Sequence, residues 1–226
     1  MRLEQVVPWG RSFSEYCQMF DFTDAELHSK ILDCGGGPAS FNAEMTQQGK
    51  SVVSCDPLYQ FSVDEMAQRI DQTYPIVIKA TEANRDNFVW TTIPSPEKLG
   101  QIRMAAMQQF LADFPLGLQQ KRYQSESLPD LPFDSQQFDL ALCSHFLFLY
   151  SDQLSLEFHL ASIVEMCRVA KVVRIFPLLV NMTGETSPFL EPVMQKLTAQ
   201  GYSIQIKQVP YKFQKGGNQL LQVRAK

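Results

Sequence analysis

Residues 30–57 read KILDCGGGPASFNAEMTQQGKSVVSCDP, and no other stretch limits the fold as tightly. KILDC has the make-up of a short apolar strand, and three consecutive glycines end it. Glycine loses more conformational freedom on folding than any other residue, so three in a row mark a place where the backbone must be bare. A helix is expected from about Ala39 to Gln48, stopped by Gly49, whose lack of a Cβ suits the left-handed turn after a helix. SVVSC reads as a second strand, halted by Asp56-Pro57. A strand, a glycine turn, a helix and a strand within about thirty residues make a βαβ unit. Its strands must be parallel and its crossover right-handed.

The rest of the chain extends this pattern. In the opening segment Phe13, Tyr16, Met19 and Phe20 fall at helical spacing after Ser12, a good N-cap, so residues 1–29 are expected to form an N-terminal helical segment. After Asp56 the alternation is interrupted. FSVDEMAQRIDQTY reads as one helix and SPEKLGQIRMAAMQQFLADF as another. Ser95 caps the second, Pro96 occupies its first turn, and Leu99, Ile102, Ala106, Phe110 and Phe114 form its apolar stripe. A bare crossover needs far fewer residues, so residues 81–119 are expected to be a helical insertion acting as a lid. Strands then resume at KRYQSES, FDLALCSHFLFL and AKVVRIFPLL, with helices at DQLSLEFHLASIVEMCRV and SPFLEPVMQKLTAQ. The last two strands flank Gly216-Gly217-Asn218, a hairpin signal. The expectation is an α/β fold forming a single domain over 1–226. Its seven-stranded, doubly wound, mostly parallel sheet ends in an antiparallel C-terminal hairpin, with the helical insertion after the second strand.

Charge and cysteine usage narrow the functions open to such a domain. The formal net charge is −4, whereas a protein that wraps nucleic acid needs a basic excess to displace phosphate counterions. The five cysteines are odd in number and widely spaced, without C-x-x-C, the usage of reduced thiols rather than a disulfide framework. None of His28, His145 and His159 stands at a zinc-ligand spacing to a cysteine, so no metal is expected. MRLEQVVPWGRSF lacks the continuous apolar core of a secretory leader, and no run is long enough to cross a bilayer. These features predict a cytoplasmic protein with no membrane partner.

In a doubly wound sheet, ligands sit outside the carboxyl ends of the strands, where the strand order reverses. The residues after the first strand are Gly35, Gly36 and Gly37, with Asp33 just inside it. Asp56 follows the second strand, Glu126, Ser127 and Leu128 the third, and Ser144 and His145 the fourth. Gly35, Gly37 and Ala39 make G-x-G-x-A, in which bare backbone allows a tight turn and the close approach of a ligand. Asp56, nineteen residues beyond Gly37, stands where an acid accepts hydrogen bonds from ribose hydroxyls. Nicotinamide dinucleotides and S-adenosylmethionine share this geometry, and Asp33 helps to separate them. It would repel a pyrophosphate lying on the turn, whereas it would attract the ammonium of a methionine moiety, directly or through water.

At these residues the chain resembles the class I S-adenosylmethionine-dependent methyltransferases, which are Rossmann-like. ILDCGGGPAS is similar to their first motif and VVSCDP to their second. YQSESLPDLPFDSQQFDLALCSHFLFLY is similar to the next two. The resemblance runs from about Lys30 to Pro177 outside the insertion, and the final hairpin fits the family's last two strands. It implies that Asp33, Gly35, Gly36 and Gly37 border the methionine portion and that Asp56 holds the ribose. It further implies that Leu58 touches the adenine, that Glu126, Ser127 and Leu128 lie around it, and that Ser144 and His145 line the methyl-transfer site. N-terminal segments in this family often close over the cofactor, which would set Arg11 against its carboxylate and pack Tyr16 over it. Glu126 stands where an aspartate is commoner, and the long insertion has no general counterpart.

A sulfonium methyl is already activated, so a base is needed only if the acceptor must lose a proton; His145, with a free pKa near neutrality, is the catalytic candidate. The fourth strand lacks the Asn/Asp-Pro-Pro-aromatic run that marks methylation of base or amide nitrogens, which lowers nucleic acid as an acceptor. The aromatic-rich NFVWTTIP and Tyr150 favour a small-molecule methyl acceptor. Two rival readings are an NAD(P)-linked oxidoreductase, for which no convincing Tyr-x-x-x-Lys is found, and a non-catalytic S-adenosylmethionine-binding module that uses the insertion to hold a protein partner.

Overall fold

The computed structural model describes residues 6–225. The first five residues of the expected N-terminal segment therefore lie outside the described residues. Seven strands form one sheet in the order β3-β2-β1-β4-β5-β7-β6. They are β1 (Ile31–Cys34), β2 (Val52–Cys55), β3 (Tyr123–Gln124), β4 (Phe138–Ser144), β5 (Ala170–Phe176), β6 (Ser203–Gln208) and β7 (Gln219–Arg224). β1 to β5 are mutually parallel, and β7 runs antiparallel to both of its neighbours, β5 and β6. This is the Rossmann-like, doubly wound sheet expected from the βαβ unit and the terminal hairpin. The third strand is much shorter than KRYQSES suggests, because only Tyr123 and Gln124 pair with β2.

Helices cover both faces. Helix α1 (Phe13–Phe20) begins at Ser12, whose side chain accepts from the Glu15 amide while the Glu15 carboxylate accepts from the Ser12 amide, a reciprocal capping box. A short helix α2 (Asp24–Leu27) leads into β1. Tyr16, Met19 and Phe20 of α1 and Phe41 and Met45 of α3 (Phe41–Gln47) pack on Ile31, Leu140 and Leu142. The opposite face carries α6 (Leu156–Val169) and α7 (Leu190–Ala199), whose Ile163, Met166, Val193 and Leu197 cover Leu32, Ala141 and Val173. The strand residues alternate between these two cores, as the pleat requires. On β1 this turns Asp33 toward the α1 and α3 face, where it lies beneath Tyr16.

Two long helices connect β2 to β3, and they differ from the sequence expectation in extent. Helix α4 (Val63–Ala83) continues nine residues past Tyr74, through Pro75, and α5 (Pro96–Gln119) contains Pro115. Both prolines sit on exposed helix faces, where water can take up the carbonyl left without an amide donor. Tyr59, Phe110, Phe114 and Tyr123 anchor α5 beside the sheet edge, with ring centroids 5.2–5.8 Å apart.

Candidate functional site

The strand order reverses between β1 and β4: the chain builds outward through β2 and β3, then returns to place β4 on the other flank of β1. Register brings the strand ends level, since Cys34 pairs with both Cys55 and Cys143. Gly35, Asp56 and Ser144 therefore leave the sheet side by side. Above them opens a cavity of about 1010 Å³.

Each glycine of the turn is required for a local reason. Gly35 and Gly37 have φ of +66° and +53°, which L side chains rarely adopt. Gly36 is confined from below. A Cβ there would meet Asp33 Oδ2 at 2.5 Å and the Tyr59 hydroxyl at 2.9 Å. Gly36→Ala is accordingly expected to lower stability by about 1–3 kcal/mol, measured as a fall in the denaturant midpoint at unchanged slope.

Asp56 secures the turn. Its Oδ2 accepts from the Gly37 amide at 2.9 Å and its Oδ1 from the Leu58 amide at 2.7 Å. Each carboxylate oxygen retains a lone pair for a further donor. Burial raises its pKa, and the two amide bonds oppose that shift.

Asp33 does not reach the cavity. It is 1% exposed, accepts from the Tyr16 hydroxyl at 3.2 Å and the Ser54 hydroxyl at 3.3 Å, and is roofed by Gly36. Gly36 therefore stands between this carboxylate and the cavity, where the sequence expectation had a direct or water-bridged contact with a ligand ammonium. Burial pushes its pKa up to about 7, against the two hydroxyl bonds.

The other candidates divide by position. Arg11, Tyr16, Leu58, Ser127, Leu128, Ser144 and His145 all line the cavity. Glu126 does not: its side chain is exposed to solvent outside it, because the third strand ends two residues earlier and the chain has already turned away. His145 holds φ of +54° at the end of β4, with its amide bonded to the Phe176 carbonyl at 2.6 Å. A non-glycine residue in this region carries strain and clusters at functional sites. Its Nδ1 lies 2.9 Å from Ser144 Oγ. Burial, and then the charges of Arg11 and Arg103, push its pKa well below the usual histidine range, so the ring is neutral at physiological pH.

Several lining residues carried no sequence signal for this role. Residues 6–9 line the cavity, with Gly10 packed so closely on Pro38 that a Cβ would fall 2.0 Å from its carbonyl oxygen. Helix α4 presents Arg69, Gln72, Thr73 and Ile76 to the cavity, the i, i+3, i+4, i+7 face of a helix. The wall on that side is therefore formed by residues preceding the 81–119 segment. Arg69 stacks over the Phe61 ring at 3.9 Å. Among the described residues there is no group of side chains suited to a metal ion, and no helix is long and apolar enough to cross a membrane.

No protein-family profile matches the chain. The uncharacterized protein MJ0045 of Methanocaldococcus jannaschii is 31% identical over 225 residues, covering 99% of this chain and 98% of that protein. This chain belongs to the same family. The matched stretch runs from before the glycine turn through the terminal hairpin of this chain. Among solved structures, a putative S-adenosyl-L-methionine-dependent methyltransferase from Methanococcus maripaludis is 13% identical, with a TM-score of 0.47 over 95% of this chain and 83% of that one. Magnesium protoporphyrin IX methyltransferase from Synechocystis PCC 6803 is 15% identical, with a TM-score of 0.45 over 90% and 73%.

Proposed function

We propose that the protein is an S-adenosylmethionine-dependent methyltransferase acting on a small-molecule acceptor. One observation carries this reading. Three level strand ends deliver a side-chain-free turn, an acid and the Ser144-His145 pair to a single cavity of about 1010 Å³, beside a buried carboxylate suited to a cationic ligand. Pockets for organic ligands fall in the range of about 300–1,000 Å³, so there is room for a nucleoside-bearing donor and part of an acceptor.

When bound, the donor supplies a sulfonium methyl group, which passes to the acceptor nucleophile as the carbon–sulfur bond breaks and its electrons remain on sulfur. The protein's share is to bind, orient and exclude water. Gly35 to Gly37 offer backbone to the methionine portion, and Arg11 pairs with its carboxylate. Asp56 accepts from the ribose hydroxyls with the lone pairs left free by Gly37 and Leu58. Leu58, Ser127 and Leu128 enclose the adenine. Tyr16 packs beside the turn, and segment 6–9 with α4 covers the site against water. His145, neutral and held through Nδ1 by Ser144, has Nε2 available to take a proton from an acceptor that must lose one.

The test is calorimetry on the full chain with S-adenosylmethionine, S-adenosylhomocysteine and NAD. Both sulfur ligands are expected to bind with dissociation constants on the order of micromolar, and NAD is expected not to bind. Tight NAD binding without either sulfur ligand would overturn the assignment.

A further inference from the structure

Behind the wall formed by Val7, Trp9, Arg11 and His145 lies a second cavity of about 70 Å³, which shares those four residues with the large one. Its charge composition is unusual for so small a space. Arg103, projecting from α5, is 1% exposed. Its Nη1 donates to the Glu15 carboxylate and its Nη2 to the Tyr211 hydroxyl at 3.2 Å, while its Nε has no partner. Tyr211 in turn donates to Glu15 Oε1 at 3.0 Å. Arg11 is enclosed by protein except toward the two cavities. Its Nη1 donates to the Trp9 carbonyl at 2.5 Å, and its buried Nε also has no partner.

Among the described residues, the titratable groups meeting here are Arg11, Arg103, Glu15, His145, Tyr150 and Tyr211. Glu15 is held at about 2 by Arg103 against its burial, so it is fully charged. Arg11 is lowered to about 10 by burial and by Arg103, and stays protonated. His145 is neutral and the tyrosines are protonated. Two guanidinium groups thus face one carboxylate. A buried charge without a counter-charge is strongly disfavoured, as is a buried donor without an acceptor.

We infer that the methyl acceptor is a small carboxylate, its anionic group seated in the second cavity on Arg103 and its nucleophilic end directed past His145 toward the donor. This rests on the methyl-transfer reading above. Arg11, in the shared wall, serves the donor's own carboxylate, and the acceptor's carboxylate shares Arg103 with Glu15, at the guanidinium hydrogens that Glu15 and Tyr211 leave unpaired. The aromatic lining, including Phe88, Tyr150 and Phe213, suits the carbon skeleton of a compact organic acid.

The test uses the full chain loaded with S-adenosylhomocysteine and titrates propanoate against the isosteric, uncharged propanamide, observed by protein NMR. Propanoate is expected to bind at least about tenfold more tightly, and Arg103→Gln to remove that preference while changing S-adenosylhomocysteine affinity by less than about twofold. Arg103→Lys, which keeps the charge, is expected to retain part of the preference. Equal binding of the two probes by the wild-type chain overturns the carboxylate acceptor and leaves the methyl-transfer reading standing, whether or not the variants fold. A loss of about tenfold or more in S-adenosylhomocysteine affinity on Arg103→Gln also overturns it, because Arg103 then serves the donor. Failure of S-adenosylhomocysteine to bind the wild-type chain removes the underlying reading itself.

Discussion

Asp56→Ala should weaken S-adenosylhomocysteine binding by roughly 100-fold. A carboxylate accepting from two ribose hydroxyls makes charge-assisted hydrogen bonds, and removal of such an interaction corresponds to about 1.5–3 kcal/mol. The variant also acts on the protein. Oδ1 and Oδ2 accept from the Leu58 and Gly37 amides, so the glycine turn and the first turn after β2 both lose an acceptor. Stability should fall by about 1–3 kcal/mol, as the two amides regain water only in part. Asp56→Asn tests how far the charge matters, because it keeps one carbonyl oxygen and must turn an amide donor toward one of the two backbone N–H groups. Calorimetry and urea unfolding on the same samples separate the two effects. Unchanged affinity in a folded Asp56→Ala protein would remove Asp56 from the site.

The parts of this architecture visible in the sequence are those with short-range causes. The βαβ unit follows from the spacing of apolar residues around one glycine turn. Helix α1 was readable because Ser12 and the stripe of Phe13, Tyr16, Met19 and Phe20 lie within one segment. The true extent of α4 was not readable. Pro75 is a breaker by local rules, and only its place on a solvent-facing side lets the helix pass through it. The candidate site divides in the same way. Gly35 to Gly37, Asp56, Ser144 and His145 were identifiable because strand ends must converge at the reversal of strand order. Glu126 was misplaced because β3 is shorter than KRYQSES suggests, and the position of one side chain depends on where pairing stops. The Glu15, Arg103 and Tyr211 cluster had no local signal. Its members are separated by 88, 108 and 196 residues, and Arg103 sits on a helix face otherwise read as apolar.

These long-range contacts also explain why the site has two compartments. Arg11 and Trp9 belong to a segment that crosses the carboxyl edge of the sheet before α1 begins, and Ser40 fixes that crossing by donating its amide to the Arg11 carbonyl at 3.0 Å. The crossing separates a large, glycine-floored cavity from a small, arginine-lined one, with His145 at the junction. On the proposed reading the two cavities would hold donor and acceptor with His145 between them, and an in-line transfer needs the reacting atoms to approach from opposite sides.

Asp33→Asn should stabilise the protein while impairing it, which makes Asp33 the clearest case of function held against stability. The Asp33 pKa is about 7 in the folded protein, raised by burial above the ordinary value of 3.8. The folded state therefore keeps a proton that the unfolded chain releases. This contribution is fully present below about pH 4 and is lost as the pH rises through about 7. Above that, an ionised carboxylate is buried with only two hydroxyl partners. Asparagine keeps an acceptor for those hydroxyls and never ionises. At pH 8 the variant should be more stable by about 2–4 kcal/mol, a rise of roughly 5–10 °C in Tm, and at pH 4 the difference should nearly vanish. On the proposed reading the carboxylate favours positive charge on the far side of Gly36. Loss of it should weaken S-adenosylmethionine by about tenfold more than the neutral-sulfur product S-adenosylhomocysteine. In the wild-type chain, donor binding near pH 6.5 should release a fraction of a proton, read from calorimetry in buffers of different ionisation enthalpy. A variant no more stable at pH 8 than at pH 4, relative to wild type, would show that Asp33 is not held near neutrality. An unchanged preference between the two sulfur ligands would show that its charge does not reach the cavity.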